Sequence, residues 1–117
     1  LMDKELLRAD ISVAGNPVFT SIYKIKDVVL PNGMAADAEG NLYVADQTFL
    51  PRGGIVKLTI TGGAQPVVIQ ETWLSYKNGC LSPNGIVIRD NTLYFTDFSI
   101  WSSKPARVKI QSNIMKP

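Results

Sequence analysis

The segments Leu30-Pro31-Asn32-Gly33 and Ser82-Pro83-Asn84-Gly85 set two side-chain amides 52 residues apart in the same local sequence. An asparagine oxygen is a neutral, hard donor of the kind calcium accepts. Pro-Asn-Gly is also ordinary turn chemistry, because Pro fixes φ and both Asn and Gly tolerate the left-handed region. The chain has no His, which removes the commonest general base and transition-metal ligand. A metal held here would be bound through oxygen, which favours a hard cation such as calcium. Ser99, Ser102 and Ser103 therefore lack the partner a nucleophilic triad requires within this chain. Cys80 is single, so no intrachain disulfide can form.

The amides belong to a longer repeat. Residues 31–37, a turn at Ala38-Glu39-Gly40-Asn41 and Leu42-Tyr43-Val44-Ala45-Asp46 match residues 83–89, a turn at Asp90-Asn91 and Leu93-Tyr94-Phe95-Thr96-Asp97. Pro-Asn-Gly is offset by 52 residues and Leu-Tyr-X-X-Asp by 51, the second turn being one residue tighter. Residues 55–58 and 107–110 are offset by 52 again. Self-similarity of this period marks a repeat architecture. The runs are short and rich in β-branched and aromatic residues, and Gly, Asn and Asp punctuate them, so each copy reads as antiparallel strands. Gly53-Gly54 introduces a third strand at 55–60. Thr61-Gly62-Gly63 turns into a fourth at 66–70, whose Pro66 belongs at its start. Residues 21–25 and a hairpin into Val28-Val29-Leu30 form the outer part of an earlier unit. Residues 4–8 could make a helical turn too short to stand alone.

Four antiparallel strands in about 50 residues make a β-propeller blade. The fold class is all-β, a propeller fragment of roughly two to two and a half blades. Residues 1–30 end one blade, 31–82 form the next and 83–117 form most of another. Asp46 and Asp97 end equivalent strands, which argues for a structural task, capping the turn before the third strand. Asp37, whose counterpart is Arg89, reads as a turn residue. Residues 71–81 form a long connection in which Trp73 plugs the gap between blades. Propellers have about four to eight blades. The fragment thus leaves apolar sheet faces open, and the remaining blades are expected from a longer chain or from other subunits.

Composition agrees with a globular domain: 45% hydrophobic, 19% charged and a net charge of +2. The charges are scattered, with no basic cluster to track a nucleic-acid backbone. No apolar run is long enough for a membrane-spanning helix.

The Pro-Asn-Gly…Leu-Tyr-X-X-Asp units, over residues 21–111, resemble those of the gluconolactonase and regucalcin (senescence marker protein) family. Paraoxonases and strictosidine-synthase-like proteins use similar phrases. The resemblance implies a six-bladed propeller with a divalent cation, usually calcium, at the channel mouth, hydrolysing a small lactone or ester. It implies Asn84 as a metal ligand and Asn32 as a substrate contact. It places Trp101, in the Phe98-Ser103 loop, at the pocket rim, where inter-blade packing is the competing role. The family's Glu from its first blade and Asp from a later one have no match here, so the catalytic residues stay unassigned. Members are often secreted or periplasmic. The alternatives are a propeller that only binds a partner and a strictosidine-synthase-like enzyme, and fold does not separate these.

Overall fold

The computed structural model describes residues 4–12, 14–48, 53–75, 77, 82–99 and 107–114. Three antiparallel sheets follow one another along the chain. The first pairs β1 (Glu5–Arg8) with β2 (Thr20–Lys24). The second takes β3 (Pro31–Ala36), β4 (Leu42–Asp46), β5 (Gly54–Thr61) and β6 (Val67–Ser75) in sequence order. The third does the same with β7 (Pro83–Arg89), β8 (Thr92–Ser99) and β9 (Arg107–Ile114). Among the described residues the fold is all-β, and no sheet closes on itself. No helix among them is long and apolar enough to cross a membrane.

The turns follow from residue type. Asp90 and Asn91 both take left-handed φ, at 51° and 57°, between the paired residues Arg89 and Thr92. That is a two-residue hairpin of the primed kind, which suits the right-handed twist of the strands. The equivalent turn between β3 and β4 is longer. There Asp37 accepts from the backbone N–H groups of Glu39 at 3.0 Å and Asn41 at 2.9 Å, and Gly40 supplies the left-handed residue at φ 87°. Asp37 is thus the turn residue its position suggested.

Two apolar layers hold the sheets together. Tyr43 and Ile55 of the second sheet pack with Leu93 and Phe95 of the third. Val44, Val56 and Leu58 pack with Leu6 and Val28 on the other side, toward the first sheet. Neighbours along a strand point to opposite faces, so β4 and β5 serve both layers. This is why Leu42-Tyr43-Val44-Ala45 reads as a continuous apolar run rather than an alternating one: its sheet is covered on both faces. Each fully buried side chain contributes on the order of 1.5–3 kcal/mol. Trp73 sits at an irregularity of β6, where Ile55 pairs with Leu74 and Val56 with Thr72. The extra residue of such a bulge lets Trp73 and Leu74 both pack against the layer shared with the third sheet. The Trp73 ring meets Tyr43 edge-on, with centroids 5.3 Å apart.

Three local expectations are corrected. Residues 71–75 are not a connecting loop but the end of β6, because the bulge lets the strand run on beside Gly54 and Ile55. Residues 5–8 are strand, not helical turn: pairing with β2 buries Leu6 in the core. Val28-Val29-Leu30 is not a hairpin strand. Asp27 takes a left-handed φ of 56° there, and the N–H groups of Val29 and Leu30 turn to a side chain described below.

Candidate functional site

Both Pro-Asn-Gly units start the first strand of a sheet, and both contain the same irregularity. Pro31 pairs with Asp46 and Met34 with Val44, while Pro83 pairs with Asp97 and Ile86 with Phe95. Each unit therefore carries one residue more than the strand opposite, a β-bulge. None of Asn32, Gly33, Asn84 and Gly85 takes a positive φ, so they are bulge residues rather than the left-handed turns expected from composition.

A buried carboxylate fastens each unit. The Leu30 N–H donates to Asp46 Oδ1 at 2.9 Å, Val29 N–H to Oδ2 at 3.3 Å, and Thr48 donates through both its N–H and its hydroxyl. In the third sheet the Ser82 N–H donates to Asp97 Oδ1 at 2.6 Å. Leu30 and Ser82 hold the same place, directly before the proline. Asp46 and Asp97 each fasten the backbone leading into the first strand, and Asp46 also holds the residues after the second.

The two units meet backbone to backbone. A Cβ built on Gly33 would lie 2.2 Å from the Asn84 carbonyl oxygen and 3.0 Å from the Ile86 nitrogen. Only glycine admits such an approach. Asn32 is exposed on β3, and its Nδ2 donates to Gln47 Oε1 at 2.8 Å. Gln47 is gripped through its backbone: its N–H donates to the Leu30 carbonyl at 2.9 Å, and its carbonyl accepts from Ser82 Oγ at 3.0 Å. Sequence reasoning passed over this residue. The available signal was a polar side chain directly after the repeated Asp, where the second copy has Phe98. Asn84 is half-buried on β7. Trp101 lies outside the described residues.

Asn32 lines a cavity of about 310 Å³ between β1 and the second sheet, with Lys4, Leu7, Ile25 and Met34 among its other walls. That volume is at the small end of ligand pockets. A second cavity of about 340 Å³ holds Asp27 and Asp46, but the Asp46 carboxylate is committed to the hydrogen bonds above. Two groups near the core have shifted titration. Burial, reinforced by the charge of Asp37, pushes the Tyr43 phenol up to about 12. Burial would raise the Asp37 carboxyl, but hydrogen bonds from Asn41, Glu39 and Tyr43 outweigh it and hold the group below its ordinary value.

Among the described residues no three acidic, histidine or cysteine side chains come together as a metal-binding group. Asn84 and Asn32 are neutral oxygen donors, whereas calcium takes about six to eight oxygens, carboxylates among them. Two neutral amides alone do not make such a shell. Comparison with protein-family models, curated proteins and solved structures found no match.

Proposed function

We propose that the three sheets are successive blades of a β-propeller, six-bladed by the family resemblance. In this reading the chain forms part of a calcium-dependent lactone or ester hydrolase of the gluconolactonase-like class. The observation that carries it is the meeting of the two Pro-Asn-Gly units. The first strands of two consecutive sheets converge there, backbone against backbone, at Gly33 and Asn84. Strands that open each blade at a common axis have this relation.

The outer face of the third sheet supports the remaining blades coming from a longer chain or other subunits. Tyr43 is 1% exposed because the next sheet covers it, whereas its counterpart Tyr94 is 40% exposed and the neighbouring Val87 58%. Apolar surface repeated in this way fits a further sheet.

Within this reading Asn84 offers a neutral oxygen to the cation, and Asn32, lining its cavity, hydrogen-bonds the substrate. Trp101 stays the proposed rim contact. When bound, calcium would polarise the lactone carbonyl and offset charge growing on its oxygen. The carboxylates that complete its shell, and the base that activates water, lie in other blades. Asn84→Ala in the full-length protein is expected to abolish calcium-dependent lactone hydrolysis while the far-ultraviolet circular dichroism stays unchanged. Wild-type turnover by that variant, across a panel of lactones, would overturn the assignment. Ligand binding without turnover by the unmodified protein would indicate a propeller used for binding alone.

A further inference from the structure

We infer that Gln47 is a positioning residue that holds the carboxamide of Asn32 in place for a ligand. This rests on the proposed function for what the ligand is, but not for the contact itself.

Asn32 is exposed, and an exposed asparagine amide ordinarily samples both orientations. Here Nδ2 is engaged by Gln47 Oε1 at 2.8 Å, and among the described residues none donates to Asn32 Oδ1. Gln47 can hold the Asn32 side chain because its own backbone cannot drift. Leu30 holds one end and Ser82 the other, and the Ser82 N–H is held in turn by the buried Asp97. The side chain that orients the amide of the second sheet is thus anchored to the third. The amide atom left over can hydrogen-bond a ligand, and a hydroxyl, which both donates and accepts, suits it whichever atom that is. In the cavity that Asn32 lines, this fits a ligand bearing hydroxyls, as a polyhydroxylated lactone does.

Gln47→Ala removes only the acceptor, because the two anchoring bonds are made by the backbone. Gln47→Glu keeps an oxygen at the same reach. In the ¹⁵N-labelled chain, the Asn32 side-chain amide resonances are expected to be dispersed and slow to exchange in the wild type. They should collapse to solvent-like values in Gln47→Ala and persist in Gln47→Glu. With glucono-δ-lactone and the full-length protein, Gln47→Ala should raise KM by about 2- to 12-fold, the range one neutral hydrogen bond supplies, with kcat little changed. Gln47→Glu should restore KM. Unmoved Asn32 resonances in Gln47→Ala would overturn the assignment, as would a wild-type KM in an active enzyme. If the resonances respond while the unmodified protein hydrolyses no lactone, the positioning role stands and the hydrolase reading falls.

Discussion

Replacing either repeat glycine by alanine separates local propensity from sheet packing. Gly33 and Gly85 hold the same position in the repeat and neither has a positive φ, so backbone preference predicts the same response at both. Packing predicts opposite ones. At Gly33 the new Cβ would stand 2.2 Å from a main-chain oxygen and 3.2 Å from Gly85 Cα. Ordinary contact begins at 3.4 Å, and neither neighbour is a side chain that can swing away, so β3 and β7 must part by roughly 1 Å. Overpacking of this kind costs about 1–3 kcal/mol or more. At Gly85 the new Cβ meets only Thr96 Oγ1, at 3.5 Å. There the lost freedom of the unfolded chain dominates and stabilises by about 0.4–1 kcal/mol. Urea denaturation of the 117-residue chain, followed by tryptophan fluorescence, should place the midpoint of Gly33→Ala below wild type and that of Gly85→Ala at or above it. Equal midpoints, or the reverse order, would refute the close approach of the two units and remove the observation behind the propeller reading. In an assembly with a further sheet over β7–β9, Gly85→Ala is expected to become destabilising as well.

Asp46→Ala should destabilise the chain by about 1.5–3 kcal/mol in the same assay, the scale of hydrogen bonds made to a charged group. It leaves the backbone donors of Val29, Leu30 and Thr48 without their acceptor. Tyr43 should make stability fall in alkali. Its phenol is raised from 10.0 to about 12 in the fold, so the folded chain keeps its proton longer than the unfolded one. The contribution is complete below pH 10 and is lost as pH rises toward 12, which tyrosinate absorbance with parallel circular dichroism will follow; Tyr43→Phe should flatten the slope. Asp37 works in the opposite sense. Its carboxyl is held below the ordinary 3.8, so what it contributes is present above that pH and lost as pH falls through the lower folded value.

Much of the fold was readable because the repeat supplied its own control. The agreement of Pro-Asn-Gly, Leu-Tyr-X-X-Asp and residues 55–58 with 107–110 in one register located β3, β4, β5, β7, β8 and β9. Strand β1 was missed because Lys4-Glu5-Leu6-Leu7-Arg8 has no counterpart, and its charged residues favour a helical turn when tertiary pairing is ignored. The end of β6 was missed because polar Glu71-Thr72 resembles a loop, and only the bulge at Trp73 shows why pairing continues. At the site, Asn32 and Asn84 could be named from residue type and repeat position. Their conformation could not, because the bulge depends on how many residues the opposite strand offers. Gln47 acts through its own backbone anchors, and those join residues 17 and 35 positions apart.

The Asp46 and Asp97 clamps have a consequence for how such a chain can grow. Each carboxylate closes a loop inside its own segment, from the second strand back to the residue before that segment's proline. The fastener therefore travels with the piece it fastens. A duplicated stretch of 52 residues inherits its bolt and its hairpin together, and meets its neighbour at a glycine where the backbones touch, at a shared apolar layer and at the bond from Ser82 to Gln47. Copying such a piece keeps its fastener while the other side chains diverge, as they do at Asp37 against Arg89 and Gln47 against Phe98.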